Sequence, residues 1–400
     1  MVNLHKNRNK IKVIGGTLGV FLLLTFLIFP WMKSLTKTEK YIPGTIIESN
    51  NSLEAEVLFN NIQGEKPFTK RLISEIALAT STIDIAMYSI DSTEIRDALY
   101  SAANRGVKIQ FVSDSKKHDE HAELLENLPE NFHFTDVPEK RKKSTQPYMH
   151  NKFAIIDTGL KTEKLLTGAW NWTVIQEQTD PTYLFITSDH EIVSSYEEEF
   201  QRLFNGIHSK SKLSEKNYKP FNKLIKYKDS SLEIWFSPGI GTNSIQERIL
   251  DMITESNSTI DIIIWQFTDI KIAKELLNAA KRGVYINIIT DDTKVDTQGS
   301  AITFLQKQIL VNKIKNINLY TDKDRTITVE GLENINSFIH HHFLITDNTN
   351  IAFGTNNWGA RGAFTNDENT IITNDKKIIR EFTKAFKTQL SDLKNNYINL

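Results

Sequence analysis

The sequence predicts an α/β fold in two duplicated lobes, because one stretch of the chain recurs. Residues 81–114 (STIDIAMYSIDSTEIRDALYSAANRGVKIQFVSD) and residues 258–291 (STIDIIIWQFTDIKIAKELLNAAKRGVYINIITD) align without a gap, at an offset of 177 positions from residue 81 to residue 258. Each copy reads as a β-rich run, a helical pattern that ends in Arg-Gly, and a second β-rich run. Glycine favours the end of a helix, and a helix that crosses between two strands makes them parallel. Each copy therefore predicts a strand, a helix and a parallel strand.

The duplication continues beyond this unit, and only the connecting loops change length. Three further pairs keep their order at offsets of 186 to 190 positions: His150 with His340, Asn171 with Asn357, and Phe200 with Phe386. We therefore expect lobe 1 at residues 53–207 and lobe 2 at residues 231–400. The segment between them, residues 208–230, is rich in lysine and poor in acids, which predicts a solvated linker.

Composition excludes several classes of protein. The chain has 400 residues, of which 40% are hydrophobic and 24% charged, so it is suited to two globular domains and is not disordered throughout. It has no cysteine, which excludes disulfides, thiolate metal sites and a cysteine nucleophile. The formal net charge of −1 gives no argument for or against a polyanionic partner.

The N-terminal region predicts a membrane anchor. Residues 13–32 contain no charge, and a helix of this length crosses a hydrocarbon core of about 30 Å. A cleaved signal peptide is the alternative, but the apolar stretch is long for one and no small-x-small cleavage site follows it. A basic N-terminus, residues 1–12, precedes the span, and a polar spacer, residues 33–52, follows it. We expect a single-pass membrane protein with its short N-terminus in the cytoplasm and residues 41–400 on the opposite side.

Two histidine-containing segments, MHNKFAIID (149–157) and IHHHFLITD (339–347), carry the candidate chemistry. Both fit H-x-[K/H]-x(4)-D followed by G-x-x-N. The motif members are His150, Lys152, Asp157, Gly168 and Asn171 in the first copy, and His340, His342, Asp347, Gly354 and Asn357 in the second. Positions two apart on a strand face the same side, so the first and third members of each motif point together. Imidazoles, a cation and amide donors suit a phosphate group.

These segments resemble the phospholipase D superfamily, whose signature is H-x-K-x(4)-D with a following G-S-x-N, twice per active unit. The first copy is similar to the branch of mitochondrial cardiolipin hydrolases and small nucleases, which favours Asn-Trp-Thr after the glycine. The second copy, GTNNWGARGAFTNDEN, is closer to the G-T-x-N and N-x-E pattern of cardiolipin synthases. The resemblance covers most of residues 55–390. It implies two α-β-α lobes related by a pseudo-twofold axis, with one active site at their interface in a monomeric catalytic unit.

The resemblance also implies roles for these residues. One histidine attacks phosphorus to give a phosphohistidine, and the other protonates the leaving alcohol and then activates water or an acceptor alcohol, without metal or cofactor. The usual family order makes His150 the nucleophile and His340 the acid, and the reversed assignment stays open. Asp157 and Asp347 are expected to order the fold around the site. The expected phosphate-binding residues are Asn171, Thr355 and Asn357, and the expected supporting residues are Gly168, Gly354 and Glu368.

Each copy departs from the family pattern. The first has Ala169 where a hydroxyl is usual, and Thr182 where the second has the acid Glu368. The second has His342 in place of lysine. A nearby phosphate favours a protonated imidazole, so His342 is expected to recover part of the missing charge, more fully at acid pH. The pattern fits either a division of labour within one site or drift in a site no longer used.

Other interpretations of these residues are weighed beside the motif. His340, His342 and Asp347 would suit a metal, although the duplication favours the phosphodiester site. Residues 139–143 (EKRKK) form a basic cluster that suits nucleic acid or anionic lipid as well as a solvated loop. Three tryptophans near the motifs suit either a substrate pocket or core packing: Trp170, Trp172 and Trp358.

The leading functional prediction is a membrane-anchored phosphodiesterase that hydrolyses a phospholipid to phosphatidic acid. A metal-independent nuclease is the main alternative, because the first motif is nuclease-like and a basic cluster precedes it. A phosphatidyltransferase similar to cardiolipin synthase is a third, weakened because NNWGARG lacks the Asp and Ser usual around that arginine. A catalytically silent, membrane-tethered binding protein is the alternative from another class.

Overall fold

The computed structural model describes residues 44–60, 65–138, 146–322, 326–329 and 332–393. The predicted transmembrane helix at 13–32 and the basic cluster at 139–143 lie outside these residues. Among the described residues, no helix is both long and apolar enough to cross a membrane.

The elements alternate between strands and helices along the chain. In the described residues the strands are β1 (Thr45–Glu48), β2 (Ala55–Phe59), β3 (Thr82–Met87), β4 (Lys108–Asp114), β5 (Phe132–Val137), β6 (Lys152–Ile156), β7 (Lys164–Gly168), β8 (Tyr183–Thr187), β9 (Phe221–Lys226), β10 (Ser231–Phe236), β11 (Thr259–Ile264), β12 (Tyr285–Thr290), β13 (Ile317–Thr321), β14 (Thr326–Val329), β15 (Leu332–Asn336), β16 (His342–Thr346), β17 (Asn350–Gly354) and β18 (Asn369–Thr373). The α-helices are α1 (Pro67–Leu78), α2 (Thr93–Asn104), α3 (His118–Leu124), α4 (Val174–Thr179), α5 (His190–Phe204), α6 (Ile245–Glu255), α7 (Ile270–Lys281), α8 (Ala301–Asn312), α9 (Ala360–Phe364) and α10 (Lys376–Asp392).

Two large mixed sheets repeat one strand order, as the duplication predicts. The first runs β2-β8-β7-β6-β3-β4-β5, and the second runs β1-β9-β10-β18-β17-β16-β11-β12-β13. In the shared part, β8-β7-β6-β3-β4-β5 corresponds to β18-β17-β16-β11-β12-β13. Strands β3 and β4 are parallel, as are β11 and β12. The predicted α/β fold of two similar lobes is thus confirmed in its two sheets.

The crossover helices begin and end where the sequence signals a cap. Ser92 accepts a hydrogen bond from the Ile95 N–H at the start of α2, and Asp269 caps the start of α7 in the same way. Gly106 and Gly283 follow the ends of these helices with φ of +99° and +101°, a conformation that favours glycine. The two crossover helices therefore begin and end in the same way, and each connects one parallel pair of strands in its lobe.

One apolar cluster contains residues of both lobes. Helices α5 and α10 are related by the duplication, and Phe200 and Phe382 on them are fully buried in the same cluster. The Phe382 ring lies 4.9 Å from that of Tyr183, a residue of lobe 1. Tyr196 of lobe 1 lies 5.2 Å from the ring of Phe236 in lobe 2. Close-packed aromatic contacts therefore fix one lobe against the other.

The prediction of a solvated linker at 208–230 is wrong. Residues 209–214 form a 3₁₀ helix, and β9 pairs with both β10 and β1, a strand inside the expected polar spacer at 33–52. Lys212 is fully buried, and its Nζ contacts carboxylates of Glu199 and Asp367. The lysine-rich composition indicated solvent, but buried acids from both lobes pair with this lysine instead.

Candidate active site

His150 joins the two lobes at the candidate site. It lies two residues before the start of β6, and its main-chain N–H donates to the Asp367 carbonyl of lobe 2 at 2.9 Å. Its Nδ1 lies 2.8 Å from Oε2 of Glu368, a fully buried carboxylate that also accepts from Thr355 and Asn366. Because a carboxylate accepts at this position, the tautomer of the neutral ring that fits the contact has its proton on Nδ1 and its lone pair on Nε2.

His340 occupies the matching position in lobe 2 with a different partner. Its main-chain N–H donates to the Pro181 carbonyl of lobe 1 at 3.0 Å, which mirrors the contact of His150. The register of β7 with β8 and of β17 with β18 makes Thr182 the counterpart of Glu368. Thr182 donates to the His340 carbonyl, and His340 Nδ1 has no hydrogen-bond partner within the described part of the chain. The imidazole of His150 therefore has a carboxylate partner at Nδ1, whereas that of His340 has no partner there among the described residues.

The electrostatic surroundings of His340 favour its neutral form. Burial lowers the pKa of its imidazole well below the usual value, and the nearby Lys152 and His150 lower it further. Its ring lies 5.4 Å from that of Trp265, and the ring of His150 lies 5.0 Å from that of Tyr88. Each imidazole thus packs against an aromatic residue from the preceding repeat unit.

Both histidines line one pocket of about 670 Å³. The pocket also contains the two motif asparagines, Asn171 and Asn357, and residues from both repeats. Its other lining residues include Tyr88, Lys116, Tyr148, Trp265, Trp358 and Arg361. The structure therefore brings together the two motif copies that lie 190 positions apart in the chain.

Lys152 lies behind this pocket rather than in it. Its side chain is 1% exposed, and its Nζ donates to the His150 carbonyl at 2.9 Å. Burial lowers the pKa of Lys152 to about 7, although the carboxylate of Glu368 raises it. The lysine is thus placed to hold the His150 backbone and to change charge near neutral pH.

His342 is equally buried and contacts an asparagine. Its Nε2 lies 3.0 Å from Oδ1 of Asn357. Burial lowers the pKa of His342 well below its usual value, and His340 lowers it further. His342 thus donates to the side chain of Asn357, and the charge that it is expected to supply beside a bound phosphate stays a prediction.

The two motif aspartates lie at the far ends of β6 and β16 from the histidines. Asp157 accepts from the N–H groups of residues 80–82, and Asp347 accepts from those of residues 257–259. Both have φ near +54°. These contacts order the turn before each repeat unit, as expected. They also separate Asp347 from the histidines, so the alternative metal set of lobe 2 is not assembled.

The remaining motif residues divide between packing and the pocket. A Cβ on Gly168 or Gly354 would lie within 2.4 Å of a neighbouring carbonyl oxygen, so the strands require glycine there. Thr355 is fully buried and donates to Glu368 at 2.8 Å, which places it behind the carboxylate rather than at the expected phosphate position. Of the three tryptophans, Trp358 lines the pocket, whereas Trp170 and Trp172 belong to the core of lobe 1.

The sequence motif did not indicate the aromatic and cationic residues around the pocket. Lys116 lies 5.1 Å and Arg361 lies 5.6 Å from the ring centre of Tyr148. Tyr88 and Trp265 occupy matched positions of the repeat, 177 apart, and that equivalence is the signal by which they could have been found.

The fold and the paired histidines define a class of protein with two duplicated lobes and one pocket lined by a histidine from each. The family model described as "Cardiolipin synthase, PLD-like domain" matches residues 72–204 and 249–390, more than half of the chain. The chain belongs to the phospholipase D superfamily.

Similar proteins include mitochondrial cardiolipin hydrolases. That of Drosophila melanogaster is 32% identical over 153 residues, which covers 34% of this chain and 58% of the relative. The human protein is 28% identical over 134 residues, covering 34% and 50%. The chain spans between half and three fifths of the length of these relatives.

A similar fold occurs in the phosphatidylserine synthase of Haemophilus influenzae Rd KW20. The two structures have a TM-score of 0.60 at 13% sequence identity, and the match covers 84% of this chain and 86% of the other. At this identity, the likeness concerns the fold alone.

Proposed function

We propose that this chain hydrolyses a glycerophospholipid to phosphatidic acid and a free headgroup alcohol, through a covalent intermediate on His150. The observation that carries the proposal is the 2.8 Å contact of His150 Nδ1 with Glu368, in a pocket that also contains His340. The carboxylate holds the tautomer that attacks and stabilises the cationic imidazole formed on attack.

The reaction divides into two displacements at phosphorus. His150 Nε2 forms a bond to phosphorus as the bond to the headgroup oxygen breaks, and protonated His340 donates its proton to that oxygen. Neutral His340 then accepts a proton from water, whose oxygen attacks phosphorus and displaces His150. Asn171 and Asn357 line the same pocket and supply amide donors to the phosphate oxygens.

A phospholipid substrate is supported by the names of the matched family and relatives and by cations at the pocket. Lys116 and Arg361 are exposed lining residues that suit a second anionic group on the substrate. A nuclease is the second candidate, because a ring flanked by cations, as Tyr148 is, also suits a nucleic-acid base and its phosphates. Membrane attachment through residues 13–32 stays a prediction from the sequence.

A substrate panel tests the proposal. The full-length chain in detergent, with EDTA present, is assayed against vesicles of cardiolipin, phosphatidylglycerol and phosphatidylcholine, and against single-stranded DNA and RNA. We expect phosphatidic acid from lipid, and a His150→Ala control should release none. Nucleic-acid cleavage without lipid turnover would favour the nuclease, and transfer of the phosphatidyl group to added glycerol without hydrolysis would favour a transferase.

Replacing His342 tests whether it positions Asn357 or supplies charge. His342→Leu removes the donor to Asn357 and should lower kcat/KM roughly 5- to 30-fold, equivalent to about 1 to 2 kcal/mol. His342→Gln retains an amide donor and should stay near the parent activity at every pH. If His342 acted as a cation, His342→Lys would instead exceed the parent enzyme, and its advantage would grow as pH rises.

The lowered pKa of His340 predicts an acid-shifted pH profile. His340 must be protonated to serve as the acid, so kcat/KM should fall about tenfold per pH unit above that pKa, with the inflection below pH 6.5. Thr182→Glu places a carboxylate at the position that matches Glu368, and it should move this inflection to higher pH. Thr182→Gln, of the same size but neutral, serves as the control, and equal inflections in both variants would contradict the assignment.

A further inference from the structure

We propose that lobe 2 binds a calcium ion between Asp291, Asp292 and Asp322, near the His340 segment. Asp291 directly follows β12, and Asp322 directly follows its parallel neighbour β13. One carboxylate oxygen from each residue lies within 4.8 Å of the other two. Several protein carboxylates around one ion are typical of Ca²⁺, whereas Mg²⁺ is usually held by one or two carboxylates and keeps several waters. The set of three carboxylates therefore favours calcium over magnesium.

An unsatisfied buried oxygen indicates that a ligand belongs there. Asp322 is 2% exposed, and its Oδ2 has no hydrogen-bond partner among the described residues. Its other oxygen accepts from the Asp292 N–H at 3.0 Å. Asp291 is fully buried beside it. Grouped carboxylates without a cation are costly to bury, and a hard divalent cation with oxygen ligands removes that cost.

The duplication shows which part of this cluster the fold itself requires. In lobe 1, Asp114 Oδ2 accepts from the Met149 N–H at 2.8 Å. In lobe 2, Asp291 Oδ2 accepts from the Ile339 N–H at 3.2 Å in the same way. Each contact fixes the residue before a candidate catalytic histidine. The first aspartate of the cluster therefore has a structural role in both lobes.

The other two carboxylates have no counterpart in lobe 1. Ser115 follows Asp114 where Asp292 follows Asp291, and Val137 occupies the register position of Asp322. Lobe 1 forms the same strand order without these acids. Folding alone thus does not explain Asp292 and Asp322, whereas ligation of an ion does.

The ion would act on the structure around His340 rather than on the reacting atoms. Asp291 would share its carboxylate between the ion and the Ile339 N–H, so binding would hold the backbone that leads into His340. Calcium binding is therefore expected to be measurable by calorimetry and to stabilise the fold, whichever phosphodiester is the substrate.

Calorimetry on the full-length chain tests this site. After EDTA treatment and buffer exchange, titration with CaCl₂ should give one ion per chain and raise the Tm. Asp292→Asn, a substitution at a position that is not buried, should weaken the affinity at least tenfold without changing the circular dichroism spectrum. Asp322→Asn should do the same. Asp296→Asn removes an exposed carboxylate from the same loop and serves as the control with unchanged affinity.

Two results would overturn the inference. One is the absence of binding at millimolar CaCl₂, and the other is equal calcium affinity in the parent chain and in Asp292→Asn. Tighter binding of MgCl₂ than of CaCl₂ would overturn the assignment of calcium.

Discussion

Replacement of His150 by alanine should lower kcat by about 10³-fold or more while the chain stays folded. The imidazole is the proposed nucleophile, and no other group of the pocket would replace its bond to phosphorus. Glu368 would keep its hydrogen bonds from Thr355 and Asn366, so the loss should be chemical rather than structural. Steady-state kinetics and thermal unfolding of the same preparation separate the two effects.

His340→Ala is the matched comparison, because an activated leaving group needs little protonation. With a p-nitrophenyl phosphodiester, His340→Ala should still release about one equivalent of nitrophenol per chain in a burst, whereas His150→Ala should release none. Slow turnover should follow the burst, because the second step lacks its base. A burst in His150→Ala and none in His340→Ala would show that the two roles are reversed.

Lys212→Met should lower the free energy of unfolding by about 3–5 kcal/mol, the usual cost of breaking a buried ion pair. Lys212 Nζ lies 2.6 Å from Asp367 Oδ1 and also contacts Glu199, and all three side chains are fully buried. Without the lysine, two carboxylates face each other away from water. Chemical denaturation measured by circular dichroism gives this difference.

The same substitution should also impair catalysis. The main chain of Asp367 accepts from the His150 N–H at 2.9 Å and donates to the Tyr148 carbonyl at 2.8 Å, so its displacement moves the proposed nucleophile. Lys210→Met, at an exposed neighbouring position, should change stability by less than about 0.5 kcal/mol. Adding Glu199→Gln to Lys212→Met should restore part of the stability, and its failure to do so would contradict the charge explanation.

The sequence predicted the fold where one repeat could be compared with the other. The 177-position alignment identified the parallel strands, and the matched histidines, His150 and His340, do line one pocket. The pattern of strands and helices in each repeat depends on residues that are close in the chain, so it can be predicted from the sequence. The sequence did not identify Tyr88 and Trp265 as pocket residues. An aromatic residue at the end of an apolar strand gives the same sequence pattern whether it lines a pocket or packs in the core.

Other features depend on residues that are distant in the chain. Lys212 lies in a lysine-rich segment that indicates solvent, yet its partners come from positions 199 and 367. The motif likewise did not specify the protonation of His342, because its pKa is lowered mainly by burial. Contacts with distant residues determine the burial of Lys212, and burial determines the pKa of His342. The local sequence pattern encodes neither.

Trapping the covalent intermediate tests most directly the claim that His150 is the nucleophile of one shared site. His340→Ala is mixed with the p-nitrophenyl phosphodiester, whose leaving group needs little protonation, and the reaction is quenched in alkali to preserve the acid-labile P–N bond. The protein is then digested and mapped by mass spectrometry. The proposed mechanism predicts the phosphoryl or phosphatidyl adduct on the peptide that contains His150, and none in the double variant His150→Ala/His340→Ala. In the parent enzyme, an adduct on His340, or sustained turnover without any histidine adduct, would contradict it.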